Sequence, residues 1–76
     1  MGTQNELVQR LEDGYNKFSK GQKKLADFIR EDYDKAAFMT AAKMGEEVGV
    51  SESTVVRFAT ALGYEGYPQF QRALGE

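Results

Sequence analysis

The chain has 76 residues and a formal net charge of −2, with neither cysteine nor histidine. A domain of this size buries only about 60% of the surface its unfolded chain exposes, which allows one small domain but no deep enzyme cavity. Disulfides and thiolate metal sites are excluded, and the commonest general base and metal ligand is missing.

No signal-peptide pattern and no apolar run near the roughly 20 residues of a membrane span are present, so a reducing, cytoplasmic setting is expected. The charge is awkward for a nucleic-acid reader, which is usually basic. Residues 1 to 35 balance seven basic against seven acidic side chains, and the remainder carries three against five. Affinity for phosphates comes largely from Lys and Arg displacing counterions. A single copy is therefore expected to bind DNA weakly and with steep salt dependence, and two copies on two half-sites would offset this through effective concentration.

Met1 to Asn5 is expected to be partly disordered. A first helix is predicted from about Glu6 to Lys17, with Leu7, Val8, Leu11, Tyr15 and Phe18 near helical spacing and Gly14 weakening its end. An apolar strip left uncovered there would serve self-association; otherwise the helix packs on its neighbours. Ser19-Lys20-Gly21-Gln22 fits a capping box that opens a second helix, about Lys20 to Asp32, with Leu25, Phe28, Ile29 and Tyr33 as its inward stripe. Lys20, Lys23 and Lys24 crowd its first two turns, and Asp27, Glu31 and Asp32 follow. That order opposes the helix dipole. These lysines are candidates for phosphate contact, against the reading of a merely solvated face. Asp34 to Met39 reads as a connector in which Phe38 and Met39 want burial.

Residues 40 to 63 read as two short helices joined by a fixed turn. Thr40 caps the first and Ser51 the second, each hydroxyl accepting from an otherwise unpaired N–H. Met39 with Met44, and Val50 with Val55, are placed as hydrophobic staples. Gly49 suits the left-handed conformation that ends a helix. Gly45, mid-helix, costs about 1 kcal/mol relative to alanine. It makes sense if the second helix crosses there and leaves no room for a side chain. This is the spacing of a helix-turn-helix.

Val55, Phe58, Ala59 and Leu62 fall at i, i+3, i+4 and i+7 and point inward. Glu52, Ser53, Val56, Arg57 and Thr60 are left outside. Short hydroxyls, a valine and an arginine suit a groove, where arginine forks onto guanine and a methyl meets a thymine. The plainer reading is a polar surface on an ordinary bundle helix. Gly63 closes the motif, Tyr64 to Tyr67 form a loop, and Pro68 opens a last helix that buries Phe70 and Leu74. Tyr64 and Tyr67 are expected as core lids whose hydroxyls reach water. Arg72 faces outward and, with Lys43, joins the candidate phosphate contacts.

The fold class is therefore all-α, a bundle of about five helices containing a helix-turn-helix within a single domain over residues 1–76. Ser19 and Ser51 are explained as caps, with no histidine to activate them. Glu12-Asp13 and Glu46-Glu47 are sequence neighbours that point apart on a helix, so neither makes a two-carboxylate site. No enzyme, cofactor or metal is implied. The rival is a protein-interaction or dimerisation module docking through its first helix, which the acidic charge favours.

From Phe18 to Leu74 the chain resembles the amino-terminal DNA-binding domain of the RpiR family of bacterial transcriptional regulators. The residues that carry the likeness are Ser19-Lys20 opening a Lys-rich helix with Leu25-Ala26-Asp27-Phe28-Ile29, then Ala37-Phe38-Met39-Thr40. Val48 to Phe58 and Leu62-Gly63-Tyr64-Glu65-Gly66-Tyr67 follow, with tyrosines where phenylalanine is more usual. The resemblance implies control of sugar or phosphosugar metabolism genes. It also implies a phosphosugar effector bound by a further domain beyond Glu76, and a homo-oligomer in the full-length regulator. Carried over, it makes Ser51, Ser53, Thr54 and Arg57 DNA-facing and puts Thr40 near phosphate. The helix faces make Arg57 the principal base reader, while the hydroxyls fix position on double-stranded DNA. Glu52 either accepts from a cytosine amino group or, as favoured here, sits in the helix dipole.

Overall fold

A computed structural model describes residues 3–75. Among the described residues six α-helices follow one another: α1 (Thr3–Gly14), α2 (Lys20–Glu31), α3 (Tyr33–Ala36), α4 (Ala41–Val48), α5 (Glu52–Ala61) and α6 (Tyr67–Gly75). A 3-10 turn, Tyr15–Lys17, follows α1. The first helix begins at Thr3, earlier than the disorder predicted up to Asn5; the same expectation for Met1 and Gly2 lies outside the described residues. The connector after α2 also carries the single turn of α3, one helix more than the apolar periodicity picks out.

The starts of the helices follow local chemistry. Ser19 Oγ accepts from Gln22 N while Gln22 Oε1 accepts from Ser19 N, so the capping box closes in both directions. Thr40 Oγ1 accepts from Lys43 N and Ser51 Oγ from Thr54 N. Gly49 and Gly63 take φ of +93° and +99°, and among the described residues no other residue has a positive φ. Each ends a helix in the left-handed region.

One apolar core runs from Leu7 on α1 to Leu74 on α6. Leu7 and Leu11 are fully buried, so α1 packs against α6 and leaves no uncovered leucine strip for self-association. Phe58 of α5 sits at the centre. Its ring meets Phe18 edge-on at 5.0 Å and Phe70 at 6.3 Å. Such pairs add about 0.5–1.5 kcal/mol beyond the area they bury. The predicted inward stripe of α5 is buried at every position, Val55, Phe58, Ala59 and Leu62.

Two expectations fail in and around the connector. Met39 is buried, but Phe38 beside it is 88% exposed. Tyr67 does not send its hydroxyl to water. It donates to Met39 O at 2.6 Å, and Gln71 Nε2 donates to the same carbonyl at 2.8 Å. Burial pushes the Tyr67 hydroxyl up to about 12. Two side chains of α6 thus hold the backbone that leads into α4, and fixing Met39 inward turns its neighbour outward.

Candidate nucleic-acid interface

The corner between α4 and α5 is fixed by contact of backbone with backbone. A Cβ on Gly45 would lie 2.7 Å from Val50 O and 3.3 Å from Ser51 C. What excludes a side chain there is the backbone of the turn together with the start of α5, whose Glu52 N would lie 3.4 Å away. Gly45 O also accepts from Gly49 N at 2.7 Å and Val50 N at 2.9 Å, closing the turn.

This corner presents the outer face of α5 to solvent. Glu52, Ser53, Val56, Arg57 and Thr60 are all exposed, and Ser51 with them. Glu52, Ser53, Val56 and Arg57 line one shallow depression of about 300 Å³. Val56 is 38% exposed, unusual for valine and suited to an apolar contact. The hydroxyls divide into two kinds. Ser51 and Thr54 bond each other at 2.9 Å, and Thr60 Oγ1 donates to Val56 O at 3.3 Å. Ser53 alone of this set has no bond inside the described chain. The corner therefore makes Ser51 and Thr54 first a cap, and leaves Glu52, Ser53, Val56 and Arg57 free on the surface.

The cations divide in the same way. Arg10, Arg30, Lys35 and Lys43 lie within 3.0, 3.7, 3.5 and 3.6 Å of Glu6, Glu12, Glu47 and Glu46. Lys23 lies over the Tyr15 ring at 5.5 Å. Among the described residues, Lys17, Lys20, Lys24, Arg57 and Arg72 have no such partner. Four glutamates thus pair with cations, while these five cations stand without an acidic partner and the net charge stays at −2. Lys20 stands beside α5: a Cβ on the adjacent Gly21 would meet Val50 Cγ1 at 3.4 Å and Thr54 Cγ2 at 3.7 Å. These are ordinary contacts, so the first turn of α2 lies against the start of α5. Lys43, predicted as a phosphate contact, is exposed and held by Glu46; Arg72 is exposed on α6. Thr40 is exposed with its Oγ1 engaged as a cap.

Arg10, Tyr67 and Gln71 hold this frame, and the sequence carries no local signal for their contacts. Arg10 Nη1 donates to Leu62 O, 52 residues away, at 2.8 Å. No metal-holding group of three or more acidic side chains exists among the described residues, nor any helix long and apolar enough to cross a membrane.

The pattern that defines the helix-turn-helix domain of the rpiR family matches residues 5–76. The match takes in the first helix, ahead of Phe18 where the resemblance in the sequence begins. Over 67 residues the chain is 39% identical to YfhH of Escherichia coli, an uncharacterized HTH-type transcriptional regulator, covering 88% of this chain and 24% of that protein. A second uncharacterized HTH-type transcriptional regulator, from Clostridium perfringens, is 30% identical over 70 residues, covering 92% of this chain and 25% of that protein. The chain thus spans about a quarter of the length of these curated relatives.

Proposed function

Because this chain belongs to the rpiR family of helix-turn-helix domains, we propose that it binds double-stranded DNA in a sequence-specific way as the reading head of a transcriptional regulator. The observation that carries this reading is Arg57, exposed and unpartnered on the outer face of a helix whose other face is wholly anchored. In this reading α5 enters the major groove. Arg57 forks onto a guanine, Val56 meets a thymine methyl, and Ser53 bonds a base edge or phosphate. Glu52 sits in the dipole of the first turn. Lys20, Lys24 and Arg72 take phosphates, and Thr40 and Ser51 lie near them at helix starts. Lys23, Lys43, Thr54 and Thr60 are secondary contacts, since each is already engaged inside the chain.

Two copies on two half-sites would make up for five free cations per copy. The likeness to RpiR regulators extends the reading to genes of sugar or phosphosugar metabolism. By the same likeness the proposal includes a phosphosugar effector bound outside these residues and a regulator acting in the cytoplasm. Net acidity and exposed Phe38 favour a second reading, a module that docks on protein.

Titration of labelled duplexes at rising salt separates the two readings. DNA affinity falls steeply with salt, whereas an apolar dock barely responds. Within the DNA reading, Arg57→Ala should cost about 1–3 kcal/mol on the preferred duplex and relax the preference at one base position. Equal losses on preferred and random duplexes would make Arg57 a phosphate contact instead.

A further inference from the structure

We infer that Arg10 is a positioning residue for DNA reading, latching the far end of α5 to α1. The inference rests on the DNA-binding reading given above. The last carbonyls of a helix have no donor within it and must find one elsewhere. At the end of α5, Phe58 O receives Leu62 N at 3.0 Å, Ala59 O receives Tyr64 N at 3.1 Å, and Thr60 O receives Gly63 N at 2.9 Å. Leu62 O is served from outside this segment, by the Arg10 guanidinium at 2.8 Å. A cation at that end also suits the helix dipole.

Two further groups fix the guanidinium itself. Nη2 bonds Glu6 Oε2 at 3.0 Å, and Cζ stands 4.9 Å from the centre of the Tyr64 ring. The chain also leaves room for it, since a Cβ on Gly63 would lie 3.0 Å from Nη1. Gly63 therefore answers two demands at once, its φ of +99° and the space Arg10 occupies. A planar fork that donates in two directions and stacks on a ring is a task for arginine that lysine cannot repeat.

The latch bears on reading as well as on stability because of where it acts. The turn fixes the first end of α5 and Phe58 anchors its middle. Arg57 and Thr60 lie on the outer face between that turn and the latched end, Arg57 one residue before Phe58 and Thr60 two after it. Releasing Leu62 O leaves that end held only by the packing of Ala59 and Leu62, so the helix can shift about the turn. Hydrogen bonds to base edges depend on direction, whereas flexible lysines follow a phosphate through a small tilt. Losing the latch should therefore reduce preference for the right sequence while sparing general affinity.

The test uses this chain, a duplex it selects from a random pool, and a random duplex, with affinities measured across a salt series. Arg10→Ala should bind the selected duplex about tenfold more weakly, the size of one charge-assisted hydrogen bond. Affinity for the random duplex and the salt slope should not change. Arg10→Lys should fail to restore the preference. Gly63→Ala, which keeps the charge and crowds the guanidinium off Leu62 O, should lose the same preference. Ile29→Val, which weakens the core from α2 and keeps every bond of Arg10, should keep it. The inference is overturned if Arg10→Ala weakens both duplexes equally, if it lowers the salt slope by about one as a lost phosphate contact would, or if Ile29→Val loses as much preference. Salt-insensitive or absent binding by the unaltered chain would instead defeat the DNA reading itself, before any variant is compared.

Discussion

The two approaches to the helix-turn-helix are built by opposite means. The corner from α4 to α5 is closed by its own backbone: Gly49 at φ +93°, Gly45 O accepting from two N–H groups, and the Ser51 cap. Every partner lies within about a dozen residues. The approach from α3 to α4 is held by Tyr67 and Gln71, 28 and 32 residues further on, both bonded to Met39 O. The first segment carries its constraints within itself; the second has local turns, Phe38 N on Lys35 O and Met39 N on Ala36 O, but relies on α6 for the bonds at Met39 O. In the proposed function this division has a use. The angle between α4 and α5 is set by chain sterics, while the seating of the pair on the body depends on distant side chains.

Substitutions can put that contrast under strain, and denaturant midpoints can measure it. Gly45→Ala places a carbon 2.7 Å from Val50 O, a backbone atom that cannot rotate away. It should cost about 2 kcal/mol even after the helix propensity that alanine gains. Gly49→Ala meets nothing within 4 Å, so it isolates the backbone cost of a positive φ, about 1 kcal/mol. On the strapped side, Tyr67→Phe removes one of two bonds to Met39 O and should cost about 0.5–1 kcal/mol. A larger loss there than at Gly45 would mean that the strap, and not the corner, is the stiffer junction.

The same strap should respond to alkali. With Tyr67 at about 12 when folded and an ordinary tyrosine near 10 when unfolded, the folded state holds its proton longer. That stability is complete below about pH 10 and is lost as pH rises toward 12. Unfolding midpoints across this window should fall more in the parent chain than in Tyr67→Phe. At the bottom of the scale, Phe38→Ser removes a ring that is 88% exposed and should change stability by no more than about 0.5 kcal/mol.

The corner and the outer face of α5 could be read from residue order because their causes are local. Thr40, Ser51 and Gly49 act on groups two to four positions away, and Val55, Phe58, Ala59 and Leu62 repeat with the helical period. Gly45 could also be read, the obstacle being the turn and the start of the second helix. Phe38 could not. A connector has no period to say which of two adjacent apolar residues turns inward, and the answer depends on a carbonyl held by α6. Arg10 gave no signal either, since an arginine four residues after a glutamate looks like a surface ion pair until α1 meets the end of α5.

Order along the chain therefore determined the helices, their caps, the corner and which face of α5 is outward. Each of these is a short-range consequence of hydroxyl chemistry, glycine geometry and apolar spacing. Only the folded arrangement decided which cations stay free, where the Tyr67 hydroxyl goes, which way Phe38 points and what holds the end of α5. Those depend on groups brought together from opposite ends of the chain, and no local rule sets the distance between residues 52 positions apart.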